Sequence, residues 1–82
     1  MRTEKQIQAV ERFRNNPTSS TAHAITAMGD EAPAIMYRLA KLYIAAQARR
    51  QQFSHSKRIS RRISCEIAEL ELAIMQPWRY DA

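Results

Sequence analysis

The sequence predicts an all-α fold: one small domain, residues 1–82, of four helices organised around a long central helix. Apolar residues recur at helical spacing in four segments, and a single glycine in the whole chain favours ordered helices over loops. The segment 31–53 is apolar on two sides, whereas an ordinary surface helix has one apolar stripe. We therefore expect the other helices to pack around this one.

Two shorter helices are predicted before the central one, at about 4–14 and about 20–28. Helix 1 carries an apolar stripe at steps of three, formed by Ile7, Val10 and Phe13. Pro17 follows the end of helix 1. One of the four hydroxyl residues 18–21 is expected to cap helix 2, and Gly29 to end it.

The central helix is predicted at about 31–53. Asp30 is its expected N-cap, and Pro33 falls in the first turn, where its missing N–H matters least. One apolar stripe consists of Ile35, Leu39, Leu42, Ala46 and Phe53. The stripe on the opposite side consists of Tyr37, Ala40, Ile44 and Ala48.

The fourth helix is predicted at about 57–75. Its inward stripe is close to a heptad seam and consists of Ile59, Ile63, Ile67, Leu70 and Ile74. The short connection 54–56 predicts an antiparallel hairpin of helices 3 and 4. Because that connection lacks glycine and proline, the alternative is one fused helix, which would have to form a homodimer to bury its stripes. We favour the hairpin.

Two features lie outside these stripes. Cys65 and Leu72 are one heptad apart, and we favour a packing edge over a seam for a second copy or another partner. The tail 76–82 carries Trp78 and Tyr80. We expect the tail to fold back on the bundle, since a small domain seldom leaves a tryptophan side chain fully exposed. The alternative is that the tail anchors a partner.

Charge is distributed unevenly along this chain, whose net charge is +5. The stretch 32–65 contains no acidic residue and eight basic ones, namely Arg38, Lys41, Arg49, Arg50, Lys57, Arg58, Arg61 and Arg62. Basic residues kept apart from acidic ones are typical of a surface that meets an anion. Ten of the thirteen basic residues are arginine, which suits bidentate contacts to phosphate or carboxylate.

The hairpin would gather six cations at one end of the molecule. This basic pole consists of Arg49, Arg50, Lys57, Arg58, Arg61 and Arg62. Cations at the beginning of a helix oppose the helix dipole, so this arrangement is adverse for stability. The alternative is that the basic pole is only a solvated face of the protein. Because the placement of these cations is unfavourable for stability, we favour a binding surface.

Nucleic acid is the first candidate partner for the basic pole. The segment 57–62 contains no Asn or Gln to read base edges and no aromatic residue to stack on bases, so the contacts should be to backbone, with low sequence specificity. A helix-turn-helix formed by helices 2 and 3 is a weaker hypothesis, because helix 3 is apolar on two sides.

The alternative function is a protein-docking adaptor or inhibitor that uses the same cations against an acidic protein surface. Its apolar anchors would be the aromatic residues Tyr43, Trp78 and Tyr80. In size, helical character and lack of catalytic residues, the chain resembles the small accessory proteins of phages and mobile elements. That resemblance is one of type, and it implies docking on a host complex.

Catalytic and metal-binding patterns are missing from the sequence. It has no nucleophile with a base, no glycine-rich phosphate loop and no companion ligands for His23 or His55, so we predict no enzyme, no metal and no cofactor. The single cysteine excludes an internal disulfide and fits a reducing compartment. No apolar run nears the ~18 residues of a membrane span and the first residues are polar, which together predict a cytoplasmic protein with no membrane partner.

Overall fold

The computed structural model describes residues 4–76, which form four α-helices and one short 3₁₀ turn. The helices are α1 (Glu4–Asn15), α2 (Ser19–Ala27), α3 (Ala34–Gln52) and α4 (Lys57–Met75), and the turn is Gly29–Glu31. No β-strand occurs in the described residues. The predicted all-α class is confirmed, and the 19-residue helix α3 packs against both α2 and α4.

Helices α3 and α4 form the predicted antiparallel hairpin. Helical structure stops after α3 and resumes with Ser56 as the extended N-cap of α4, so the two helices are separate and not fused. Two side-chain contacts fix their relative direction. Arg49 contacts Glu66 at 2.7 Å, and Tyr43 contacts Glu71 at 3.3 Å. From the first contact to the second, the residue number falls by six on α3 and rises by five on α4, so the two helices run antiparallel.

The two ends of α2 follow the predicted chemistry. Thr18 is the N-cap, and its hydroxyl accepts a hydrogen bond from the Thr21 N–H at 3.1 Å. The Thr21 hydroxyl in turn accepts one from the Thr18 N–H at 2.9 Å, which completes a capping box. After α2, Gly29 has a φ of +59°, in the left-handed region that favours glycine.

Helix α3 begins at Ala34, three residues later than predicted. A proline disfavours the helical conformation in the residue before it, and Ala32 is accordingly extended, with φ −75° and ψ 148°. Pro33 is therefore the N-cap of α3 and not part of its first turn. The expectation that Asp30 caps this helix is wrong, because Asp30 lies in the separate 3₁₀ turn.

All four helices contribute to the hydrophobic core, and α3 contributes most of it. The buried side chains are Phe13, Ala22, Ile25, Ala32, Met36, Leu39, Ala40, Tyr43, Ala46, Ile63, Ile67 and Ile74. The Phe13 and Tyr43 rings meet edge to face, with their centroids 6.3 Å apart. On α3, the buried residues form one continuous arc: Met36 and Tyr43 lie between the two predicted stripes, and Leu39, Ala40 and Ala46 lie at their facing edges. Helices α2 and α4 therefore cover adjacent sides of α3 and not opposite ones.

Several apolar side chains that were expected to face inward are exposed. The exposed fraction is 47% for Ile7, 49% for Leu42 and 41% for Ile59. Cys65 and Leu72 are also exposed, so the packing edge favoured for this pair is wrong within residues 4–76. Ile7 lies on α1 itself, whereas the other exposed side chains lie on parts of the longer α3–α4 hairpin that the short helices α1 and α2 do not cover.

Candidate nucleic-acid interface

The α3–α4 hairpin determines where the basic pole lies. Its six residues belong to the last turn of α3 and the first two turns of α4. Because the two helices are antiparallel and joined by a short connection, these turns are neighbours at one end of the hairpin. The six residues do not, however, have equivalent surroundings.

The two arginines of α3 have partners within the protein. Arg49 forms an ion pair with Glu66, with 2.7 Å between Nη2 and Oε1, and both side chains are about half exposed. Arg50 is partly buried and donates a 2.6 Å hydrogen bond from Nη2 to Oε1 of Gln47. Both arginines also lie at a helix C-terminus, where cations interact favourably with the dipole. Their positions therefore have a structural explanation.

The four cations of α4 are different. Lys57, Arg58, Arg61 and Arg62 are all exposed, and none of them forms an ion pair within the described residues. The first turn of α4 contains no acidic residue to offset them. Lys57 and Arg58 lie in the first turn, at the positive end of the helix dipole, where an exposed cation costs ~0.3–1 kcal/mol at low ionic strength. Arg61 and Arg62 follow one turn later, each four residues from a like charge. We call these four residues the free cations.

The buried side of α4 decides which way the free cations point. Ile67 and Ile74 are almost fully buried, and helical geometry places three arginines on the opposite side. These outward residues are Arg58, Arg61 and Arg62. The sequence predicts Ile59 on the inward stripe, with Lys57 and Arg61 pointing directly away from it. Ile59 is 41% exposed, so the outward side is centred nearer Arg58.

Of the three aromatic residues considered as partner anchors, the described part of the chain includes one. Tyr43 is only 2% exposed and belongs to the core, so its ring is not available to a partner in this fold. Trp78 and Tyr80 lie outside the described residues. Tyr43 is therefore ruled out as an anchor in this fold, and the prediction for the other two is untested.

Tyr43 instead begins a hydrogen-bonded chain that leads to the basic pole. Its hydroxyl lies 3.1 Å from the carbonyl oxygen of Pro17 and 3.3 Å from Oε2 of Glu71, so its proton has two acceptors. The hydroxyl accepts a 2.9 Å hydrogen bond from Nε2 of Gln47, whose Oε1 accepts from Arg50. Burial of the ring, partly opposed by the Gln47 hydrogen bond, raises the pKa of the Tyr43 hydroxyl above its ordinary value.

These hydrogen bonds were not predicted from the sequence, although the spacing of some of the residues involved indicates them. Tyr43 and Gln47 are four residues apart on α3, and Gln47 and Arg50 are three apart, so each pair shares a helix face. The contact with Glu71 depends on the register of the hairpin. That register is set by how α3 and α4 pack against each other, which the spacing of residues within each helix does not determine.

Within residues 4–76, no group of three or more His, Cys, Asp or Glu side chains could hold a metal ion. None of the helices in this part of the chain is long and apolar enough to cross a membrane.

Comparison with protein-family models, with curated proteins and with solved structures finds no match to this chain.

Proposed function

We propose that this protein is a non-enzymatic accessory factor that contacts the backbone of nucleic acid through the free cations of α4. One observation carries the proposal: four exposed cations lie in the first six residues of a helix, and none has an acidic partner within residues 4–76. A bound polyanion would satisfy them.

The electrostatics of α4 support this proposal. The helix dipole and the repulsion between like charges both raise the free energy of the unbound state. Phosphate groups close to the N-terminus of α4 would relieve both terms and would also interact with the positive end of the dipole. The placement of these cations therefore costs stability in the free protein, and this cost is recovered when an anion binds.

The residue types favour backbone contact over base reading. Arginine binds phosphate in a bidentate manner, and three of the four free cations are arginine. The first two turns of α4, residues 57–62, contain no amide or aromatic side chain that could contact a base. Helix α3 is not suited to a groove of DNA, because α2 and α4 cover two of its sides. We therefore expect binding with little sequence preference.

A paired set of double variants tests the proposal. Arg58→Gln with Arg62→Gln removes two outward cations, and Arg38→Gln with Lys41→Gln removes the same charge from the exposed middle of α3. At ~0.1 M salt, the first pair should weaken binding to a random-sequence duplex by about 10- to 100-fold. The second pair should change the Kd less than about threefold. Fluorescence anisotropy measures both, and equal losses would contradict a localised interface.

A second candidate function, docking on a protein, is favoured by a different observation. Leu72 is 59% exposed and Met75 is 52% exposed, on the outward side of α4 that also carries Cys65. These apolar side chains lie on the same helix as the free cations, near its other end, and together the two groups suit an extended partner with both an acidic and an apolar surface. For this function, Leu72→Gln would weaken capture of the partner, whereas it would leave nucleic-acid binding unchanged.

A further inference from the structure

A groove of about 520 Å³ lies between α2, the C-terminal half of α3 and the start of α4. Its floor includes the apolar side chains of Ile44 and Ala48, and the rest of its lining is polar. Three of the polar groups are the hydroxyls of Ser19, Ser54 and Ser60. No carboxylate of the described residues lines this groove, although the chain has eight acidic residues.

Arg50 supplies the only positive charge of lysine or arginine type in this lining. Its guanidinium has five N–H donors, and the hydrogen bond to Gln47 uses one of them. The other donors form no further hydrogen bond within residues 4–76. His23 and Gln51 add two more polar side chains to the lining, and both are exposed.

The position of Arg50 is fixed from inside the protein. Gln47 links it to the hydroxyl of Tyr43, whose ring is buried, and that hydroxyl is held between Pro17 and Glu71. Two hydrogen bonds thus connect the guanidinium to the hydrophobic core. A cation held in this way loses less side-chain entropy on binding an anion than a free surface arginine does.

These features point to one class of ligand. A guanidinium with several free donors, three hydroxyls and no competing carboxylate suits the three terminal oxygens of a phosphate monoester. The groove is larger than a phosphate ion, so it also has room for the organic group to which the phosphate is esterified. We propose that this groove binds a phosphate monoester and that Arg50 is its principal anion contact.

This binding site does not depend on the proposed function. The free cations Lys57, Arg58, Arg61 and Arg62 do not line the groove. Phosphodiesters of a nucleic-acid backbone would lie across the exposed outer side of α4, whereas a monoester would enter the groove beside Arg50. The monoester could belong to a free small molecule or to the 5′ end of a nucleic-acid strand, and both present the same terminal phosphate.

Amide chemical-shift titration of the ¹⁵N-labelled full chain tests the proposal. The probes are inorganic phosphate, a nucleoside 5′-monophosphate, and one short oligonucleotide with and without a 5′-phosphate. We expect saturable shifts around Ser19, His23 and Ser54 with the first two probes. If the oligonucleotide binds more tightly with its 5′-phosphate than without it, the strand end is the source. If both oligonucleotides bind alike while the nucleotide saturates the groove, the source is the free ester.

Three variants make the experiment specific. Arg50→Gln should weaken monophosphate binding by about 10- to 100-fold, since it removes charged hydrogen bonds. Gln47→Met keeps the guanidinium but removes the group that holds it, so we expect a loss of several-fold. Arg38→Gln, which removes an equal charge away from the groove, should leave the Kd unchanged.

Two results would overturn the proposal. One is the absence of saturable shifts in the wild-type groove, and the other is an Arg50→Gln protein that binds the monophosphate like the wild type. The Gln47→Met variant also separates this proposal from the function of α4, because it should leave the salt dependence of duplex binding unchanged.

Discussion

Tyr43 combines two roles in this protein, since its ring fills the core while its hydroxyl organises polar groups at the edge of that core. The hydroxyl contacts Pro17, Gln47 and Glu71, which belong to three different segments of the chain. No buried side-chain nitrogen or oxygen atom of the described residues lacks a hydrogen-bond partner. Removal of one member of this network would therefore leave others unsatisfied.

The substitution Tyr43→Phe tests this role at the level of stability. The ring and its edge-to-face contact with Phe13 should remain, whereas the polar groups around the hydroxyl lose their partner. We expect the free energy of unfolding to fall by about 1–3 kcal/mol. Urea denaturation followed by circular dichroism measures the change. The control is Tyr37→Phe, whose ring is only partly buried against the core, and a similar loss in both variants would contradict the role assigned to the buried hydroxyl.

The raised pKa of Tyr43 predicts a dependence on alkaline pH. Burial disfavours the phenolate in the folded state, so the unfolded chain releases this proton at a lower pH than the folded protein does. The contribution of Tyr43 to stability is complete below its ordinary pKa of about 10 and is lost as the pH rises beyond it. Urea denaturation between pH 9 and pH 11 should therefore show a smaller loss for Tyr43→Phe than for the wild type.

At the scale of single helices, the ends of α3 and α4 place cations in opposite electrostatic situations. Arg49 lies at the C-terminus of α3, where it complements the dipole and pairs with Glu66. Arg58 lies in the first turn of α4, where no acidic residue accompanies it. The same type of side chain should therefore stabilise one helix and destabilise the other.

Neutralisation of each arginine tests this contrast. We expect Arg49→Gln to lower the free energy of unfolding by about 0.3–1 kcal/mol and Arg58→Gln to raise it by a similar amount at low salt. Both effects should shrink in 0.5 M salt, because these charges are exposed and screened. Thermal denaturation at two salt concentrations measures them. A loss of stability in both variants would show that the dipole does not govern the start of α4.

The helices were predictable from the sequence where local chemistry defines their ends. Thr18 and Gly29 determine the limits of α2 by capping and by backbone conformation, and both act within a few residues. The start of α3 was predicted three residues early, because the effect of Pro33 on the preceding residue outweighs the capping preference of Asp30. The sequence alone does not show which of two competing local preferences determines the start of a helix.

The candidate site was predictable only in part. The grouping of six cations follows from the hairpin, which the spacing of apolar residues already indicates. Their division into paired and free cations requires the register between α3 and α4, since it alone brings Glu66 to Arg49. The burial of Tyr43 has the same origin, because this residue belongs to neither predicted stripe and is covered by helices on adjacent sides of α3.

At the scale of the whole molecule, the fold keeps the basic pole apart from the hydrophobic core. The core contains no charged residue within the described part of the chain, and the basic pole occupies one end of the hairpin. A chain of this size has a small margin of stability, so an adverse cluster of charges costs an appreciable share of it. That cost favours a binding role for the free cations over a solvated face.

The most direct test of this account is the salt dependence of binding to a random-sequence DNA duplex, measured by fluorescence anisotropy between ~50 and ~200 mM salt. Four phosphate contacts predict a slope of about −3.6 in a plot of log K against log salt, or a loss of ~150-fold over this range. The Arg58→Gln, Arg62→Gln protein should show a slope of about −1.8. No binding at 50 mM salt, or an unchanged slope in this variant, would contradict the proposal that the free cations of α4 contact nucleic acid.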